Sequence, residues 1–143
     1  MNTKKTKKGF TLVEIMAVLV IIGLLATMVS TQVIKQLAKA KEETTKGNLR
    51  TLHTAVQQFF MDCSRLPTQE EGLDALINKP ADIGEGWDPA GYIEQTSIPK
   101  DGWGQEFKYF LNPESGKPFE IRSSGPDKEL YTEDDLVSTD IGK

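Results

Sequence analysis

The chain has 143 residues, 27% charged and 38% hydrophobic, with a formal net charge of −4. That length holds one modest domain and a long helix, hardly two independent cores. Lys4, Lys5, Lys7 and Lys8 precede everything apolar, and without them the remainder carries −8, a balance that argues against nucleic acid as a partner. Cys63 is the only cysteine, so no disulfide forms within the chain.

From Ile15 to Val29 the sequence reads IMAVLVIIGLLATMV, with Phe10 to Val13 ahead of it and no charge after Glu14 until Lys35. This approaches the ~20 residues that a bilayer core demands. The lysines before it place its N-terminus on the cytoplasmic side, so the rest of the chain is exported. A secretory signal peptide shares the basic start and apolar stretch, but Ala26-Thr27-Met28-Val29-Ser30 is a poor cleavage site. Glu14 is the anomaly, because an unpaired carboxylate costs roughly 2.5 kcal/mol or more at the bilayer centre. Either it sits at headgroup level or it wants a cationic partner.

Lys7-Lys8-Gly9-Phe10-Thr11-Leu12-Val13-Glu14 resembles the cleavage and methylation signal of type IV pilins and their relatives. The resemblance implies that a prepilin peptidase cuts between Gly9 and Phe10 and methylates the new amine, while the apolar segment remains. That amine is then a cation at the edge of an apolar helix, and Glu14 of a neighbouring subunit can pair with it, each charge offsetting the other's burial. The pair would set the axial register of a filament.

Beyond the span, Ile34 and Leu37, then Leu49, Leu52, Val56, Phe59 and Cys63 recur at steps of three and four, which predicts a helix continuing to about Asp62. Lys35, Lys39, Lys41, Glu42, Glu43, Lys46 and Arg50 form its solvated face. Gly47 and Thr44-Thr45 weaken it locally, with a bend as one outcome. His53 and Cys63, on or beside the apolar face, read as packing rather than catalysis or metal binding. Arg65-Leu66-Pro67-Thr68 breaks the helix, and Thr68-Gln69-Glu70-Glu71 is a capping box for a short helix bearing Leu73, Leu76 and Ile77, ending by Lys79-Pro80. Residues 84 to 104 form an ordered loop able to bury Trp87, Tyr92, Ile93 and Trp103. Phe107 to Leu111 and Pro118 to Arg122 predict a hairpin around the turn Asn112-Pro113-Glu114-Ser115-Gly116.

The body resembles the major pseudopilin family of type II secretion, general secretion pathway protein G. Arg65-Leu66-Pro67-Thr68-Gln69-Glu70-Glu71-Gly72-Leu73-Asp74-Ala75-Leu76 is similar to its R-Y-P-T-x-E-x-G-L-x-A-L segment. Gly91-Tyr92-Ile93 and Ile98-Pro99-Lys100-Asp101-Gly102-Trp103-Gly104 are similar to its G-Y-[IL] and L-P-x-D-P-W-G stretches, and Phe107 to Pro113 to its Y-x-Y-x-x-P. Leu66 departs from the family's Tyr, Gly102 from its Pro, and Thr31 from a Pro common in the membrane helix, which leaves that helix straighter.

Near the C-terminus, Ser123-Ser124-Gly125-Pro126-Asp127 and Thr132-Glu133-Asp134-Asp135-Leu136 gather hard oxygen donors of the kind Ca²⁺ takes. The spacing is not that of an EF-hand, no side chain there suits zinc, and a solvated acidic turn is the plain alternative. The resemblance implies calcium, which major pseudopilins hold in the corresponding loop. By position, Asp127 matches the first Asp of a G-x-D-G segment and Asp135 the last Asp before an Ile, here Leu136. Glu133 or Asp134 supplies a third acid, and carbonyls around Ser124 and Leu130 complete the shell. Lys128 stands where the family has Gly, and the loop is about a residue shorter.

The expected fold is therefore α+β: a long N-terminal helix, membrane-spanning in its first half and amphipathic in its second, packed against a small antiparallel hairpin or sheet with ordered loops. Its expected divisions are a cleaved leader (1–9), a membrane and filament-core helix (10–34) and a periplasmic domain (35–143). Within the last lie an amphipathic helix (35–62), a short helix and loop (68–104) and a β region with the acidic loop (105–143). The resemblance implies a homo-oligomeric filament subunit that works with minor pseudopilins and an inner-membrane secretion platform. Such a subunit is held in the inner-membrane lipid before assembly, with its C-terminal domain in the periplasm. A surface type IV pilin for adhesion or motility shares the leader but commonly closes a C-terminal loop by disulfide. An anchored enzyme finds no support, since no nucleotide loop, His cluster or nucleophile with a base is visible.

Overall fold

The structure, a computed structural model, describes residues 8–141. The leader lysines at positions 4, 5 and 7 lie outside them. By contacts the chain divides into two compact units, one ending at Ala38 and one beginning at Lys39.

The first unit is the start of helix α1, which runs over Leu12–Cys63. Thr11 opens it with a capping box: the Glu14 N–H donates to Thr11 Oγ1 at 3.2 Å, and the Thr11 N–H donates to Glu14 Oε2 at 3.0 Å. Two of the donors that a helix start leaves unpaired are thereby satisfied. An 18-residue window of this helix reaches a mean hydropathy of 2.7, with none of it buried. The 23 residues from 12 to 34 rise about 35 Å, enough for a hydrocarbon core of ~30 Å. Its hydroxyls are satisfied within the helix: Thr27 donates to the Leu24 carbonyl at 2.7 Å, Ser30 to Ala26 at 2.8 Å and Thr31 to Met28 at 3.0 Å. Such groups enter lipid without an unmade hydrogen bond. The helix passes Thr31 and Gly47 without interruption.

The second unit carries the buried core. Leu49, Leu52, Ala55, Val56 and Phe59 of α1 meet Leu73, Ala75, Leu76, Ile83, Trp87, Phe107, Tyr109, Phe119 and Ile121 in one cluster. The helical positions are the face that the three-and-four spacing marks, and every described residue through Ala40 is exposed.

After α1 the Thr68–Glu71 capping box forms, with the Thr68 N–H donating to Glu71 Oε2 at 2.8 Å and the Glu71 N–H to Thr68 Oγ1 at 3.2 Å. It leads into a single 3₁₀ turn, Gly72–Leu76, not an α-helix. The turn is brief because of the residues it buries: Leu73, Ala75 and Leu76 all reach the core, a set too closely spaced for one α-helical stripe, whereas Ile77 is only half-buried. Arg65 adds a two-pronged ion pair to Glu71, at 2.8 Å on each prong.

That pair, with Thr68 assisting against the opposing effect of partial burial, holds the Glu71 carboxyl down at about 2 from an ordinary 4.5. The folded chain thus binds fewer protons here than the unfolded chain. Its stabilisation is complete above pH 4.5 and disappears as pH falls toward 2. Melting temperatures across that range should fall more steeply for the native chain than for Glu71→Gln, and parallel curves would remove this pair as the cause.

The loop from residue 84 to 104 is ordered by its aromatics. Trp87 is buried, its Nε1–H donating to the Ala75 carbonyl at 3.0 Å, while Tyr92, Ile93 and Trp103 are half-buried. Strands β1 (Lys108–Leu111) and β2 (Phe119–Ser123) pair antiparallel, with Tyr109 opposite Ile121 and Phe110 opposite Glu120. A third strand, β3 (Leu136–Val137), pairs antiparallel with β2. Two residues carry too little periodicity to announce a strand in sequence. Phe119, Ile121 and Ser123 face the core, while Glu120 and Arg122 alternate to the other face.

His53 packs as expected, its ring 4.7 Å from that of Phe119 and Nδ1 3.3 Å from Ser138 Oγ, with burial lowering its pKa. Cys63 lies beside the core with Sγ 3.6 Å from the Tyr92 hydroxyl.

Candidate functional site

Two places carry the candidate functional residues. At the N-terminus Gly9 stands in open space and Phe10 is 86% exposed, so nothing described in the chain shields the bond between them. Glu14 is exposed on the first turn of α1. One of its oxygens is used at home, by the Thr11 N–H, so the carboxylate is held against the N-terminal end of the helix. The signal for this is present in the sequence as Thr11-x-x-Glu14, a second capping box that the membrane pattern around it masks.

At the C-terminus the loop between β2 and β3 is fastened by its own acids. Asp127 Oδ1 accepts from the Glu129 N–H at 2.8 Å, and the Asp127 N–H donates to Asp134 Oδ2 at 3.3 Å. The Thr132 hydroxyl donates to Asp134 Oδ1 at 2.7 Å and stands 3.4 Å from Asp135 Oδ1. That hydroxyl is the main cause holding the Asp134 carboxyl below the usual carboxylate range. Asp135 Oδ2 accepts from the Tyr131 N–H at 2.8 Å and from Arg122 Nη1 at 3.1 Å. Ser124 is buried and Leu130 half-buried, whereas Glu133 is exposed. Gly125 has φ +64, and a Cβ there would overlap the Asp134 carbonyl, so the two arms of the loop close on each other only with glycine.

The structure therefore brings Asp134 and Asp135 together around Thr132, joins Asp127 to them through its backbone, and leaves Glu133 outside. Among the described residues no three His, Cys, Asp or Glu side chains stand close enough to hold a metal by themselves. In kind, the donors fit a hard cation: carboxylates, hydroxyls and carbonyls, with no nitrogen or sulfur ligand among them. Sequence reasoning places Thr132 among the oxygen donors of the loop but misses Arg122 and Tyr131. Arg122 reads as an ordinary outward strand residue, because the loop that covers it lies nine or more positions further on.

Residues 32–142 match the family model described as type II secretion system, protein G, and residues 4–30 match the prokaryotic N-terminal methylation motif. The chain belongs to the type II secretion system protein G family. Similar relatives include the type II secretion system core protein G of Aeromonas hydrophila, 36% identical over 93% of this chain and 92% of that one. The protein of the same name from Pseudomonas aeruginosa is 35% identical over 97% and 96%. Among solved structures, the major pseudopilin from the type 2 secretion system of enterohaemorrhagic Escherichia coli aligns with a TM-score of 0.62 at 29% identity. That alignment covers 73% of this chain and 90% of the other. The pseudopilin is accordingly a structural subunit and not an enzyme. It is anchored in a membrane by its apolar N-terminal helix.

Proposed function

We propose that the chain polymerises with copies of itself through the first half of α1 to form the type II secretion pseudopilus, which helps drive folded proteins across the outer membrane. The observation that carries this is the 12–34 segment, predominantly apolar and exposed throughout, with Glu14 its one acid, just after Gly9-Phe10. Such a surface needs lipid before assembly and neighbouring helices afterwards. A prepilin peptidase removes residues 1–9 and methylates the Phe10 amine, and Glu14 of an adjacent subunit takes that amine as its cation. Minor pseudopilins and the inner-membrane platform complete the machine, with the N-terminus cytoplasmic before cleavage and the domain from residue 35 periplasmic.

The mass of the protein recovered from its host tests the first step: loss of Met1 to Gly9 and gain of one methyl is expected, and an intact leader would overturn it. Deleting the gene should abolish export of secreted enzymes. Lost twitching with intact export would instead mark a surface pilin.

We propose also that the loop from Ser124 to Leu136 takes a calcium ion. Asp134 and Asp135, Asp127 beside them and the carbonyls of Ser124 and Leu130 would hold it. The ion would neutralise carboxylates that the loop packs together and so tie the chain end to the sheet without a disulfide. Calorimetry of the domain from Lys35 onward should show a higher melting temperature with millimolar calcium than with chelator, since an ion bound only by the folded state stabilises it. Identical melting in both would remove the ion.

A further inference from the structure

We propose that Arg122 is a built-in cation that latches the C-terminal loop through one oxygen of Asp135 and leaves the other oxygen to the ion. The role of the ion rests on the calcium reading under the proposed function; the latch stands without it.

On the outward face of β2, the side chains of Glu120 and Asp135 are each only 3% exposed. Two carboxylates so far from water need a positive partner within hydrogen-bond reach. Arg122 spans both: Nε donates to Glu120 Oε1 at 3.0 Å, Nη2 bonds the same oxygen, and Nη1 donates to Asp135 Oδ2 at 3.1 Å. A planar fork reaches two acids on different elements in this way, which a lysine cannot reproduce. The guanidinium is roofed by the Tyr131 ring at 5.0 Å, and that ring leans on Phe110 at 6.0 Å. The Tyr131 N–H meanwhile donates to the same Oδ2. Tyr131 sits at φ +70, a conformation that an aromatic residue keeps only where its surroundings dictate it. Ring, amide and carboxylate supply that constraint together.

Asp135 Oδ2 is thus committed to two donors, whereas among the described residues Oδ1 has only the Thr132 hydroxyl at 3.4 Å. One positive charge against Glu120 and Asp135 leaves a negative charge over, and the Asp134 carboxylate lies just beyond Thr132. The arginine latch and the ion therefore act on opposite sides of one carboxylate. Removing the ion weakens the loop without opening it, because the latch toward the sheet is internal.

Hydrogen exchange of the Tyr131 amide, measured on the full chain in detergent micelles with calcium chloride and with chelator, tests this. The native chain should stay protected in both conditions. Arg122→Gln should exchange roughly a hundredfold faster in chelator and regain protection with calcium. A native chain that loses Tyr131 protection in chelator alone, or an Arg122→Gln chain as protected there as the native one, overturns the latch. Because the first of these is read on the native chain, it decides the matter even if the variant fails to fold. An Arg122→Gln chain that stays open with calcium keeps the latch and removes the ion instead.

Discussion

Gly102→Pro should destabilise the C-terminal domain by roughly 2–4 kcal/mol, the sum of one lost buried hydrogen bond and a backbone overlap. The result is unintuitive, because proline is the residue usual at this place in the family's L-P-x-D-P-W-G stretch. Here the Gly102 N–H donates to Thr45 Oγ1 at 2.8 Å, and that hydroxyl donates in turn to the Lys41 carbonyl at 2.7 Å. Thr45 is fully buried, so its hydroxyl cannot take water in place of either partner. Proline has no N–H to give. A Cβ at Gly102 would also overlap the Lys41 carbonyl and stand 2.7 Å from the Lys41 Cα, which is backbone and cannot swing aside. Gly102→Ala keeps the donor and should lie between the two. The measurement is urea unfolding of the domain from Lys35 onward, and a proline variant as stable as the native domain would mean that loop and helix are free to separate here.

This contact also shows why parts of the fold are not legible in the sequence. Thr45 looks like a mediocre helix former, and its value comes from a loop 57 positions away that no local pattern announces. Asp101 is similar: buried, it accepts from the Trp103 and Gln105 amides through one oxygen and from Ser123 through the other, joining loop to sheet. By contrast, the face Leu49, Leu52, Val56 and Phe59 is legible, because burial along one helix repeats at the helix's own period. The hairpin is legible from two apolar runs around a Pro-Gly turn. The strand Leu136–Val137 is not, since its pairing is set by partners on β2.

The acidic loop is legible in composition and not in arrangement. Oxygen donors can be counted in a sequence, but which carboxylates converge depends on backbone that the residue types do not advertise. Lys128 replaces the family's Gly and yet keeps φ at +64, a left-handed position that costs a non-glycine residue about 1 kcal/mol. A lysine at this position therefore hides the left-handed turn from a reading of residue types.

Glu14→Gln is the variant that separates what Glu14 does inside the chain from what it does between chains. Glu14→Ala loses two things at once: the bond from the Thr11 N–H that closes the capping box, and the negative charge. Glutamine reaches the same N–H and caps nearly as well, so helix entry into the membrane should be unaffected. Pairing with a methylated Phe10 amine needs the charge, and an amine buried against a neutral amide keeps most of its desolvation cost. At roughly 3 kcal/mol for a broken buried pair, each subunit contact weakens about a hundredfold. Both variants should fractionate with the membrane, and neither should yield filaments under conditions in which the native chain does. Filaments of native length from Glu14→Gln, with none from Glu14→Ala, would make Glu14 a helix cap and nothing more, and the register of the pseudopilus would have to come from elsewhere.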